Sequence, residues 1–171
     1  MKYLVHLSLG SNVDKEHNYP AAVRLLAGLG RIEAASPVYE TEPVGMSPGT
    51  PAFFNGAVRL ATDLAPDELK AKLRSEVEAA LGRVRDPSGK WISRPIDVDI
   101  ALCQRDGAFV TAADTDIRKY LHVARPLADL DPDLVLPNPD HPEQRTLADI
   151  ARALESSQPL PAPRPDIILE P

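Results

Sequence analysis

The chain has 171 residues, with 19 Lys and Arg against 25 Asp and Glu and a net charge of −6. That length suits one domain with a real hydrophobic core, and an apolar fraction of 43% excludes wholesale disorder. The acidic balance disfavours a general nucleic-acid binder but leaves room for a locally basic site for a small anion.

Tyr3 to Leu9 alternates apolar and polar residues and ends in Gly10-Ser11-Asn12, the pattern of a strand entering a turn. Asn18 is expected to cap a helix, with Pro20 in its first turn and Val23, Leu26 and Leu29 at helical spacing. Ile32 to Tyr39 reads as a second strand, placed at an edge or broken by Pro37. A loop rich in Pro and Gly spans Glu40 to Pro51, and loops of that length are often functional. Phe53 to Ala61 is a third strand, with Phe54, Val58 and Leu60 on one face and Phe53, Asn55, Ala57 and Arg59 on the other. Pro66 opens a helix with Leu69, Leu73, Val77 and Leu81 on one side, closed by Gly82. A polar loop from Asp86 to Ser93 precedes a fourth strand, Pro95 to Cys103.

This β-α-β-β-α-β order predicts an α+β, ferredoxin-like fold, with both helices on one sheet face and the other face left for ligands. Beyond it, Ala108 to Thr111 suggests a short strand and Asp114 to Leu130 short helices around Pro126. Thr146 and Asp149 form a capping box opening a helix through Leu154. Residues 1–156 are read as a single domain and 157–171 as a Pro-rich tail, with Ile167-Ile168-Leu169 as a docking segment.

The chemistry concentrates in Arg94-Pro95-Ile96-Asp97-Val98-Asp99-Ile100. Ile96, Val98, Ile100 and Leu102 alternate with Asp97, Asp99 and Ala101, so both carboxylates face one side of a strand. Adjacent carboxylates repel, and a divalent cation between them relieves this. Mg²⁺ fits because it prefers hard oxygen ligands and binds through one or two carboxylates plus substrate phosphates. An Asp-x-Asp pair alone is also what a solvated strand face carries; the apolar residues flanking this one favour the metal reading. Arg94 lies three residues before Asp97, well placed to fork onto phosphate oxygens. For Arg83 and Arg85, phosphate binding and a solvated basic helix end explain the residues equally.

Phe53 and Asn55, two apart on one face, could stack on and hydrogen-bond to a flat heterocycle; by default such a Phe is core. Trp91 sits in a polar loop, where a core role is hard to assign. His6, His17, His122 and His141 lack zinc-ligand spacing, and His6 reads as a satisfied strand residue. Cys103, the one cysteine, excludes an internal disulfide and reads as a small buried hydrophobe. The apolar run at the N-terminus is too short for a signal peptide, and no segment reaches membrane-span length, so a cytoplasmic protein is expected.

Several motifs in order resemble one family. They are Leu9-Gly10-Ser11-Asn12, Ser36-Pro37-Val38-Tyr39-Glu40-Thr41-Glu42-Pro43-Val44-Gly45 and Phe53-Phe54-Asn55-Gly56-Ala57-Val58. Glu78 ahead of Leu81-Gly82-Arg83-Val84-Arg85, then Trp91, then Arg94 to Ile100 complete the set. Together they resemble the 6-hydroxymethyl-7,8-dihydropterin pyrophosphokinases of folate synthesis, most closely over residues 3 to 103. The resemblance implies transfer of diphosphate from ATP to the hydroxymethyl oxygen of a reduced pterin, with AMP leaving. It implies two Mg²⁺ ions on Asp97 and Asp99, with Arg83 and Arg94 as catalytic arginines. The pterin would contact Thr41, Glu42, Val44, Phe53, Asn55, Trp91 and His122. ATP would contact Glu78, Arg83, Arg85, Trp91, Arg94 and Ile100.

The chain departs from the family pattern after residue 103. Tyr120 stands where the family has an Arg, and His122 where it has a second stacking Phe; the usual Pro-His pair falls on Ala113-Asp114. Arg118 and Arg125 are the nearby residues that could compensate. Ser75 and Ile92-Ser93 also depart from it. Two alternatives follow: a diphosphokinase of the same fold acting on another pterin or hydroxymethyl substrate, and a non-catalytic pterin- or nucleotide-binding module. ATP and reduced pterin are the expected partners, without nucleic acid or membrane, and the chain is expected to be a monomer or weak homodimer.

Overall fold

A computed structural model describes residues 1–84, 93–112, 114–136 and 145–170. Its centre is β1 (Tyr3–Ser11), which pairs antiparallel with β4 (Phe53–Thr62) on one side and β5 (Asp97–Arg105) on the other. The main sheet runs β6-β5-β1-β4-β3-β9, with β2 also beside β4. Here β2 is Arg31–Ala35, β3 Tyr39–Thr41, β6 Ala108–Ala112 and β9 Ala162–Pro163. β2 and β3 are two parts of one run beside β4. Its break falls at Ser36-Pro37-Val38, where proline has no N–H to give to the ladder.

Alternation along the strands builds a core on each face. Val5, Leu7 and Leu9 from β1, with Phe54, Val58 and Leu60 from β4, meet α1 (Lys15–Leu26) and α2 (Pro66–Lys72). On the opposite face, Ala57, Ala101 and Leu102 meet α3 (Asp114–Lys119), α4 (Leu121–Leu130) and α5 (Leu147–Glu155). A two-stranded ribbon, β7 (Val135–Leu136) and β8 (Arg145–Thr146), leads into α5. The α+β architecture holds, but the second face is not left open. The C-terminal helices cover much of it, because their own apolar stripes need a partner surface.

Three local departures have physical causes. α1 begins at Lys15 rather than behind an Asn18 cap: the Asn18 side chain donates to the Val13 carbonyl at 2.7 Å from inside the helix. Asp14, at a φ of 44°, makes the preceding turn. α2 widens into a π-helical turn, Leu73–Glu78, which keeps the four-residue spacing of Leu69, Leu73 and Val77 inward and buries Glu78 beside them. In β5 a bulge follows Ile100: Leu7 pairs with Ile100 but His6 with Leu102. Leu102 therefore turns onto the face it shares with Ala101, not the face of Val98 and Ile100. The capping box of α5 forms as expected, with Asp149 N donating to Thr146 Oγ1 at 3.1 Å.

Behind the bulge, His6 is buried with Nε2 2.5 Å from Asp131 Oδ2, and Arg59 donates to the other oxygen of Asp131 at 2.6 Å. Glu33 lies 3.6 Å from Arg59 Nε. Burial lowers the His6 pKa below 6.5, outweighing Asp131, so the ring is neutral near pH 7 and its Nε2–H donates. Burial would raise the Asp131 pKa, but the bonds from His6 and Arg59 outweigh it and hold the carboxyl below its usual range. Both folded-state values are depressed. His6 therefore contributes stability that is present above pH 6.5 and lost as the pH falls below it, because only the unfolded chain takes up the proton there. Thermal melting at pH 7.5 and pH 5.5 should show a lower midpoint at the acid value. His6→Gln should shrink that difference.

Candidate active site

The strand register assembles the site. Gly10 on β1 pairs with Asp97 on one side and Asn55 on the other, and Ser8 pairs with Asp99 on one side and Ala57 on the other. Gly10 has no side chain, so Asp97 and Asn55 flank an open slot. A Cβ added at Gly10 would come within 3.3 Å of Asn55 Oδ1 and 3.9 Å of the Phe53 ring. Above this slot lies a cavity of about 190 Å³. Thr41, Glu42, Val44, Phe53, Asn55, Arg94, Asp97, Asp99 and His122 all line it.

The two ends of the cavity differ in character. At one end, Asn55 Nδ2 donates to Thr41 Oγ1 at 2.6 Å, which leaves the amide oxygen to accept from a ligand. Phe53 is the cross-strand neighbour of Thr41 and shares this end. The far wall comes from the start of α4, where the Tyr120 and His122 rings stack at 5.3 Å with 29° between planes. Burial lowers the His122 pKa below 6.5, against a smaller opposing pull from Asp116, so the imidazole is neutral near pH 7.

At the other end, Arg83 and Arg94 each place Nη1 on a different oxygen of Asp97. Arg83 Nη1 also bonds Glu78 Oε1 at 2.5 Å, and that oxygen accepts from Val98 N at 3.2 Å. The π-helical turn thus ties its buried Glu78 to the root of β5, one residue from Asp97. Asp97 and Asp99 open from one strand into the cavity as hard oxygen donors, a set that suits Mg²⁺. No group of three or more His, Cys, Asp or Glu side chains within reach of one metal occurs among the described residues.

Three expected ATP contacts stand apart from the cavity lining. Ile100 packs against the α1–α2 core on the opposite face from the aspartates, Glu78 is buried beneath the site, and Arg83 meets it through its bond to Asp97. Arg85 and Trp91 lie outside the described residues. Arg125 pairs with Asp129 at 3.2 Å and Glu155 at 3.0 Å, and it is not part of the cavity wall. Ser8, Gly10, Met46, Asp116 and Val123 also line the cavity, beyond the ligand contacts that the sequence predicts. The period of β1 held the signal for Ser8 and Gly10, since alternate residues of that strand share the aspartates' face.

A family model for 7,8-dihydro-6-hydroxymethylpterin-pyrophosphokinase matches residues 6–132, the stretch that contains Asp97, Gly10 and Asn55 and both ends of the cavity. The chain belongs to that pyrophosphokinase family. A 2-amino-4-hydroxy-6-hydroxymethyldihydropteridine pyrophosphokinase from Pseudomonas aeruginosa is 36% identical over 143 residues, covering 80% of this chain and 86% of the relative. The proteins of the same name from Porphyromonas gingivalis and Methylorubrum extorquens are 33% and 36% identical. These alignments cover 74% and 77% of this chain, and 99% and 84% of the relatives.

Proposed function

We propose that the cavity seats a reduced pterin at its Asn55 end and the triphosphate of ATP at its Asp97 end. The chain is a pyrophosphokinase of folate biosynthesis: it moves diphosphate from ATP to the hydroxymethyl group of 6-hydroxymethyl-7,8-dihydropterin. The observation that carries the site reading is the Asp97–Gly10–Asn55 row, which sets an acid pair and an amide-plus-aromatic pocket side by side.

Phe53 and His122 would stack on the two faces of the pterin, while Asn55 and the backbone around Thr41, Glu42 and Val44 bond its edge. Asp97 and Asp99 would hold two Mg²⁺ ions together with phosphate oxygens. When bound, these supply positive charge to the triphosphate and acidify the attacking hydroxyl. Both guanidiniums already reach Asp97, so a phosphate over that carboxylate lies within reach of Arg83 and Arg94. There they would stabilise charge on the transferring group and its leaving oxygen. Glu78 would keep Arg83 in place, and the start of β5 would carry ATP past Ile100.

The order β5-β1-β4-β2, antiparallel throughout, supports the ferredoxin-like reading: β4 splits the β1-α1-β2 unit and β1 splits the β4-α2-β5 unit. Residues 1–156 carry every proposed substrate contact, and the chain acts as a monomer or weak homodimer in the cytoplasm. No helix among the described residues is long and apolar enough to cross a membrane.

Incubation with ATP, Mg²⁺ and the hydroxymethyl-dihydropterin should release AMP; release of ADP would contradict diphosphate transfer. Asn55→Ala should raise the pterin KM about tenfold or more, with the ATP KM within about twofold, since a buried amide pairing costs about 1–3 kcal/mol to lose. Steady-state kinetics with each substrate varied checks this. The Tyr120–His122 wall favours one second reading, a shifted preference among pterins. Comparing kcat/KM across 6-substituted dihydropterins separates it from the first.

A further inference from the structure

We propose that β9 and Arg164 are a strap that positions the pterin end of the site, with Arg164 as a positioning residue acting through Glu40. The proposal rests on the assignment of the pterin to Thr41, Phe53 and Asn55. The tail lies beyond residues 6–132, the span the family model matches. Yet Ala162 and Pro163 pair with Glu40 and Tyr39 of β3, and Arg164 N donates to the Val38 carbonyl at 2.8 Å.

β3 needs such support. It is three residues long, and its ladder to β4 ends at Thr41, where the loop lining the cavity begins. Without β9 it would be a short edge strand leading into a long loop, and such ends fray. The two faces of β3 do different things. Tyr39 and Thr41 share the cavity side with Asn55 and Phe53. Glu40 points the other way, beside its cross-strand partner Phe54.

On that second side the tail makes a compact anchor. Arg164 Nη1 lies 2.5 Å from Glu40 Oε2, and Asp166 fixes the rest of the guanidinium through two bonds of 2.9 and 2.7 Å. Lys15 of α1 takes Glu40 at 3.2 Å and the Ala52 carbonyl at 2.8 Å. Both cations sit over the Phe54 ring, Lys15 at 4.7 Å and Arg164 at 4.8 Å from its centre. Ile167 and Leu169 pack against the core and hold the strap down. Glu40 is thereby clamped between helix and tail, one residue from the hydroxyl that receives the Asn55 amide.

The strap thus acts on pterin geometry and not on the phosphate end. The test is full-chain kinetics on Arg164→Ala, Arg164→Lys, Glu40→Gln and the Arg164→Ala/Glu40→Gln pair, with Asn55→Ala as the site control and melting midpoints alongside. Arg164→Ala should raise the pterin KM about fivefold, on the scale of a partly exposed ion-pair anchor, with kcat and the ATP KM within about twofold. Arg164→Lys, which keeps the charge on Glu40, should lie closer to wild type. Glu40→Gln should mimic Arg164→Ala, and the pair should add little to either. A lowered midpoint with an unchanged pterin KM would make the tail a stability brace only and overturn the proposal. Equal damage to both KM values would overturn it too. If Asn55→Ala leaves the pterin KM unchanged, the pterin assignment itself fails and takes the strap with it.

Discussion

Asp97→Ala is expected to cut AMP release at least about a thousandfold, the scale of losing one preorganised charge-stabilising group at a reacting centre. That corresponds to about 4 kcal/mol of barrier. The carboxylate has two roles in the proposed site. It faces the cavity beside Asp99 as half of the oxygen donor set, and it receives both Arg83 and Arg94. Removing it leaves Arg83 on Glu78, so the fold should survive with a similar melting midpoint. Pterin binding should persist as well, since Asn55, Thr41 and Phe53 stand on β3 and β4. Nucleotide affinity should lose its dependence on Mg²⁺, read by calorimetry with and without the cation. Asp97→Asn, which keeps the shape and removes the charge, should behave like the alanine variant. Turnover within tenfold of wild type in either variant would sink the assignment of Asp97.

Gly56→Ala should destabilise the chain by about 3 kcal/mol or more, at the upper end for overpacking a core. An added Cβ would stand 2.2 Å from the Tyr19 hydroxyl, 3.2 Å from Ser36 Oγ and 3.3 Å from the Pro37 carbonyl. Tyr19 has no room to retreat, being fully buried among the α1 core residues and edge-on to Phe54 at 6.5 Å. For a chain of this length such a loss lowers the melting midpoint by about 10 °C. Tyr19→Phe removes the atom in closest conflict, so the same glycine change should cost clearly less in that background. Equal costs in the two backgrounds would place the strain elsewhere. Because Gly56 follows Asn55, the variant should also weaken pterin binding at temperatures where it remains folded.

Much of this was legible in the chain because period-two patterns carry it. Asp97 and Asp99 share a face with Phe53 and Asn55 for the same reason that Val5, Leu7 and Leu9 share the other: successive residues of a strand point to opposite sides. The alternation in β1 and β4, the helix opened by Pro66 and the capping box at Thr146 are all local facts, and the structure repeats them. The resemblance to the pyrophosphokinases rests on motifs of β1, β3, β4 and β5, together with Glu78, Arg83 and Arg94.

What stayed hidden depends on contacts between segments far apart in sequence. The bulge after Ile100 turns Leu102 toward α4 and α5, a face that exists only once those helices have docked. Glu78 looks like a surface acid until the π-helical turn rotates it under β5, where Val98 N and Arg83 satisfy it. His6 shows nothing of Asp131, which lies 125 residues away. The tail reads as a Pro-rich extension until β9 finds the open edge of β3. The sequence by itself determined the alternation of faces along β1, β4 and the part of β5 before the bulge, and so which side of each strand carries the acids and the aromatic. Only the tertiary structure decided which strands stand side by side, because register and pairing are settled by burial across the whole sheet and not by any one segment.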